Sequence, residues 1–75
     1  MIKNLDRVVL TTDLPEEGLA KGDIGTVVLV HRGGAGYEVE FMTLTGDTVA
    51  VVTLMKNQVR RIAAREIANA RLVAC

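Results

Sequence analysis

Short apolar runs with turn residues between them constrain the fold of this chain more than any other feature of its sequence. Runs rich in valine, leucine and isoleucine recur along the first 62 positions, separated by glycine, proline, asparagine or aspartate. β-branched residues in runs of this length favour strands, and turn residues at nearly even spacing favour short antiparallel connections. The pattern predicts a mainly β domain with five short strands.

The third run shows the clearest strand pattern. Tyr37, Val39 and Phe41 alternate with Glu38 and Glu40, which is typical of a strand with one buried face and one face in water. The five strands are predicted at 6–11, 24–31, 37–43, 48–54 and 59–62.

The segment 12–23 and the start of the second strand form a turn-rich region. Its proline and glycines cannot continue a central strand. Gly22 and Gly25 flank the strand start, and we expect Gly25 where the backbone bends too sharply or packs too closely for a side chain. Asp23 is expected to accept hydrogen bonds from backbone amides two residues on. We therefore interpret this motif as a structural turn that serves the fold.

After the fifth strand, the spacing of apolar residues changes from alternation to a helical period. Ala64, Ile67, Ala68 and Leu72 fall near one helical face, so 63–75 is predicted as a short C-terminal α-helix. Thirteen residues are marginal for a free helix, and this one is expected to lean on another surface.

The second and fourth strands carry apolar residues on both faces, and a small barrel can bury only one of them. A chain of 75 residues has a thin stability margin, and its single cysteine, Cys75, allows no internal disulfide. We expect the outward face to be covered by the chain's own tail, by another molecule, or by exchanged tails. The predicted interaction residues are Leu29, Val52, Leu54, Ile67 and Leu72, and the predicted state is a homo-oligomer, a dimer or higher.

Four segments carry a resemblance to a known family: "LDRVVLTTDLPEEGL", "KGDIGTVV", "YEVEF" and "GDTVAVVTL". Their order and spacing, from Leu5 to about Ile62, resemble a short bacterial family catalogued as domain of unknown function 4926. That family is similar to SH3-like barrels, including KOW-type domains and a small photosystem subunit. The resemblance implies a five-stranded SH3-like barrel over 1–62, a separate tail over 63–75, and no established activity.

Charge is balanced overall but divided along the chain. Residues 1–48 carry four basic and eight acidic side chains, whereas residues 49–75 carry five basic and one acidic. Two solvated faces, attraction between subunits, or a basic tail that meets an acidic partner all fit this division. The basic residues that could contact nucleic acid are Arg60, Arg61, Arg65 and Arg71. Exposed aromatic residues for base stacking are lacking, which disfavours that function.

Candidate groups for chemistry are few. His31 is the single histidine and Cys75 the last residue; neither has a partner in the sequence that would make a nucleophile–base pair or a metal site. Glu38 and Glu40 share one strand face, with Asp47 near, and are expected to stay ordinary carboxylates. No catalytic, metal or cofactor residue is predicted.

The first residues lack the apolar core of a signal peptide, and no apolar run reaches the length of a membrane span. Low cysteine usage favours a reducing compartment, so we expect a cytoplasmic protein. The predicted function is a non-enzymatic protein-interaction module that self-associates or docks on a protein partner, in an accessory or antitoxin-like role. The alternative is an RNA- or DNA-binding KOW-like barrel that uses the arginines of 60–71.

Overall fold

The computed structural model describes residues 1–73 and contains five strands and two short 3-10 turns. The 3-10 turns span Pro15–Glu17 and Arg32–Gly34. The mainly β class and the five strands are confirmed. The strands are β1 (Arg7–Leu10), β2 (Ile24–His31), β3 (Gly36–Met42), β4 (Thr48–Met55) and β5 (Val59–Arg61).

The strands form one antiparallel sheet in the order β4-β3-β2-β1-β5. β4 and β5 are therefore the two edges, and within residues 1–73 no ladder joins them, so the sheet is open. The long connection between β1 and β2 folds back on itself through a bridge between Leu14 and Leu19. That bridge explains why the segment is ordered although it contributes no long strand.

One face of the sheet holds the core. Tyr37, Val39 and Phe41 are buried on it, as predicted, and Leu19 joins them from the β1–β2 connection. The other members are Val8, Leu10, Val27, Val52, Leu54 and Val59. An all-apolar cluster on a single face is the main source of stability in so small a sheet.

The faces of β2 and β4 correct part of the sequence prediction. Val52 and Leu54 are 9% and 1% exposed, so they belong to the core and are not surface residues, and Val51 faces outward instead at 54%. In β2 a register shift between Val27 and Leu29 reverses the alternation. Val27 is consequently buried, while Leu29 is 51% exposed, as predicted.

The glycine-flanked start of β2 is a tight corner, as predicted. A Cβ on Gly25 would lie 2.5 Å from Cγ1 of Val39, and Gly22 has a φ of 98°. Asp23 differs from the prediction, because its carboxylate accepts the amide of Ala20, three residues earlier, at 2.8 Å. The aspartate closes the turn that precedes it.

The predicted C-terminal helix is absent from residues 63–73, and the last two positions of that prediction, Ala74 and Cys75, lie outside the described residues. Arg65 has left-handed backbone with φ of 67°, which interrupts a helix. Ile67 and Leu72 are 93% and 96% exposed, so they do not cover the sheet. Residues 63–73 contain a turn at Ala64 and Arg65 and otherwise no regular secondary structure. Within residues 1–73, no helix is long and apolar enough to cross a membrane.

Candidate interaction groove

A groove of about 500 Å³ lies between the tail and the sheet, and we call it the tail groove. Its lining is mainly apolar. Three parts of the chain form its walls: the β1–β2 connection with the start of β2 (Leu19, 22–24), the β3–β4 hairpin (41–45, Val49) and the tail (68–73). Concave apolar surface of this size is where proteins commonly bind partners or ligands.

An ion pair fixes the tail wall. Nε of Arg71 donates to Oδ1 of Asp23 at 2.8 Å, and Nη2 donates to the carbonyl of Gly18 at 3.1 Å. Partial burial raises the pKa of Asp23, but hydrogen bonds from Arg71 and the Ala20 amide, with the charge of Arg71, lower the pKa overall. The same hydrogen bond raises the pKa of Arg71. Both groups are charged at neutral pH, and their ion pair links residue 71 of the tail to the corner before β2.

A second ion pair holds the start of the tail. Nη2 of Arg60 on β5 donates to Oε2 of Glu66 at 2.6 Å, and the amide of Ala63 donates to Oε1 of Glu66 at 2.6 Å. The hydrogen bonds from Arg60 and Ala63 lower the pKa of Glu66 to about 2. Hydrogen bonding to Glu66 also raises the pKa of Arg60. Polar contacts of Glu66 and Arg71 link the tail to β5 and to the β1–β2 connection.

The rims of the tail groove carry the most exposed of its apolar side chains. Leu44 in the β3–β4 turn is 91% exposed and Leu72 in the tail is 96% exposed. Ile24 and Met42 are partly exposed between them. Such a surface suits apolar side chains of another protein, with the Asp23–Arg71 pair as a neutral polar neighbour.

The structure separates the predicted interaction residues. Leu72 and Arg71 line the tail groove, whereas Leu29 lies on the outer face of the sheet and Ile67 faces solvent outside the groove. Sequence reasoning missed Leu44, Met42 and Ile24. An apolar leucine inside a four-residue turn was the signal that could have pointed to Leu44.

The four arginines of 60–71 do not form a single patch of unpaired positive charge. Arg60 and Arg71 are each paired with a carboxylate, at Glu66 and Asp23. Among the described residues, Arg61 and Arg65 have no ion-pair partner. Two unpaired arginines give a weaker phosphate contact surface than the four expected from the sequence.

The acidic residues of β3 make a small polar cluster on the outer face. Oε2 of Glu38 lies 2.7 Å from Nε2 of His31 and accepts Oγ1 of Thr53 at 2.6 Å. Hydrogen bonds from His31 and Thr53 lower the pKa of Glu38. A carboxylate held ionised in this way is a poor proton donor at neutral pH. Glu40 accepts Oγ1 of Thr48 at 2.7 Å.

Metal-binding geometry is also lacking in the part of the chain that the structure describes, where no group of three or more His, Cys, Asp or Glu side chains comes together. Cys75, considered as a candidate nucleophile, lies outside that part. The apolar tail groove is therefore the feature with the most capacity for binding.

A comparison with protein families finds a match. The model of a family described as a domain of unknown function (DUF4926) matches residues 4–61. No curated protein and no solved structure matches the chain. The matched range includes all five strands and ends before the tail.

Proposed function

The chain belongs to the DUF4926 family, which is defined as a domain of unknown function, and from that premise we propose that it is a non-enzymatic protein-interaction module that self-associates through the tail groove. Its fold is an SH3-like barrel opened between β4 and β5. The setting is the bacterial cytoplasm, in an accessory role beside another protein.

One observation carries this proposal: Leu44 of the β3–β4 hairpin and Leu72 of the tail, both more than nine-tenths exposed, line one apolar groove. Protruding side chains and a receiving groove therefore lie on a single patch. A patch of that kind is complementary to itself, because two copies related by a two-fold axis can each place a leucine in the other's groove. Burying a leucine stabilises an assembly by about 1.5–3 kcal/mol.

The alternative, a nucleic-acid-binding barrel, is less well supported. Arg60 and Arg71 are already engaged within the chain, and the two aromatic residues, Tyr37 and Phe41, are buried. Without exposed aromatic residues the chain lacks a stacking surface, and with two of the four arginines of 60–71 in ion pairs it offers fewer phosphate contacts there than the sequence suggested.

Light scattering on the size-fractionated full chain tests self-association. We expect a mass of at least twice the 8.1 kDa of one chain at micromolar concentration. Leu72→Lys and Leu44→Lys should each return the mass to that of a monomer, because a charge cannot be buried in an apolar groove without a partner.

Ile67→Lys is the matched control. Ile67 is as exposed as Leu72 and lies in the same tail, but outside the tail groove, so this variant should keep the wild-type mass. A wild-type monomer at all concentrations would refute the proposed function, and an equal effect of Ile67→Lys would refute the tail groove as the interface.

A further inference from the structure

The two edges of the sheet are protected very differently. β5 has three residues, two of them arginines, and leads into the tail, which the Arg60–Glu66 ion pair holds beside this strand. β4 has eight residues, Thr48–Met55, with no charge, proline or glycine among them. Edge strands that must not pair are usually short or carry such residues. A bulge at Val49 interrupts the start of the strand, so 50–55 is the part of this edge left open to a further strand.

The free edge of β4 has a defined set of hydrogen-bonding groups. The amide of Met55 donates to Oε1 of Gln58 at 2.8 Å, and its carbonyl accepts the amide of Gln58 at 2.9 Å. Both groups therefore point away from β3. Because these directions alternate along an antiparallel strand, the amides and carbonyls of Thr53 and Val51 point the same way. Within residues 1–73, no backbone hydrogen bond joins 48–54 to the β1–β2 connection.

A second wall faces this edge and carries negative charge. The 3-10 turn Pro15–Glu17 brings Leu14, Glu16 and Glu17 opposite 51–54 across an open groove of about 280 Å³, which we call the edge groove. Among the described residues, neither glutamate has an ion-pair partner, and both are exposed. The edge groove thus combines unpaired main-chain groups on one side with acidic side chains on the other.

We propose that the edge groove binds an extended, basic segment of a partner protein, which adds to the sheet as a strand beside β4. Main-chain hydrogen bonds to Val51 and Thr53 supply the pairing, and lysine or arginine side chains of the segment face Glu16 and Glu17. The β4 strand of a second copy is a poorer occupant, because it has no basic residue. This site is independent of the self-association proposed for the tail groove.

Amide spectra of the ¹⁵N-labelled full chain, titrated with two capped synthetic peptides, KVKVKV and EVEVEV, test the proposal. We expect the basic peptide to shift the amides of Val51 and Thr53 and to slow their hydrogen exchange. Its affinity should fall as salt screens the glutamates. The acidic peptide should leave both amides unchanged. Shifts confined to other strands, or equal binding of the two peptides, would overturn the proposal.

Variants separate charge from main-chain pairing. The double variant Glu16→Gln/Glu17→Gln should weaken binding of KVKVKV by about fivefold, the size expected for two exposed ion pairs. The control Asp6→Asn/Asp47→Asn changes the net charge equally at two residues that do not line the edge groove, and should bind as the wild type does. Val51→Pro removes an outward amide and should abolish binding, since that amide makes no bond to β3.

The monomeric variant Leu72→Lys keeps the two proposals distinguishable. It should bind KVKVKV with wild-type affinity, because Leu72 does not line the edge groove. If it binds the peptide although the wild type proves monomeric, the edge groove stands and the tail-groove function fails. A peptide of residues 63–73 that binds the same amides as tightly as KVKVKV would overturn the proposal, since the natural occupant would then be the tail of a second copy.

Discussion

Single positions decide how closely the strands of this protein approach one another, and Gly25 is the clearest case. It lies in β2 beside β3, and a Cβ there would come within 2.9 Å of Cε2 of Phe41 and 3.0 Å of the carbonyl of Glu40, besides Val39. Contacts this short involve backbone and buried ring atoms, which cannot move aside independently. The packing of β2 on β3 therefore depends on the absence of a side chain.

Gly25→Ala should destabilise the fold by about 1–3 kcal/mol, the usual cost of overpacking a core. Urea unfolding followed by far-UV circular dichroism would measure it, with the exposed Lys56→Ala as control. An unchanged midpoint for Gly25→Ala would mean that the strands separate without cost.

Glu66 is expected to titrate with a pKa of about 2, below its ordinary value of 4.5. Since the folded-state pKa is lowered, the contact with Arg60 is fully present above about pH 4.5 and is lost as the pH falls toward 2. Carboxyl ¹³C shifts of the full chain would follow this titration. In Arg60→Gln the midpoint should rise toward 4.5, and a wild-type midpoint already near 4.5 would contradict the ion pair.

Among the elements, the strands follow the sequence pattern and the tail does not. Alternation in β3 predicted its buried face because every second residue is apolar. In β2 the alternation fails at Val28, where the register shift puts Leu29 outward. The tail has helical spacing of apolar residues, yet Glu66 and Arg71 bind groups distant in sequence or on β5. The spacing of apolar residues within one segment carries no information about hydrogen-bond partners that come near only when the chain folds.

Arg71→Gln should release the tail wall of the tail groove. With the bonds to Asp23 and Gly18 weakened, residues 68–73 have no strand pairing to hold them, and their heteronuclear NOE values should fall. The amide shifts of β1 and β5 should stay as in the wild type. The control Arg65→Gln, which removes an arginine without an ion pair, should change neither the NOE values nor the amide shifts. Unchanged NOE values in Arg71→Gln would show that the Asp23–Arg71 ion pair does not position the tail.

The whole molecule is an open sheet with two grooves, which we propose as separate contact surfaces. The tail groove is apolar and bordered by Leu44 and Leu72, whereas the edge groove joins unpaired backbone of β4 to Glu16 and Glu17. They use different parts of the chain, so self-association need not block a strand-adding partner. So small a core gains much from either contact.

The thermal midpoint should rise with protein concentration, because only the folded chain associates. For a dimer of this size, a tenfold increase in concentration raises the midpoint by about 4–5 °C. Differential scanning calorimetry at three concentrations would measure the slope. Leu72→Lys should show no slope, and a concentration-independent wild type would count against assembly.

The sequence by itself determined the class of the fold, the number of strands and the buried face of β3, because these follow from residue spacing and local turn chemistry. The tertiary structure alone decided that the sheet stays open, that Val52 and Leu54 are core residues, and that residues 63–73 form no helix. It also decided the candidate site: Leu44, Leu72 and Asp23 are far apart in sequence and meet only in the folded chain. Ion pairs, register shifts and grooves depend on distances between separate segments, so the spacing of residues within one segment cannot predict them.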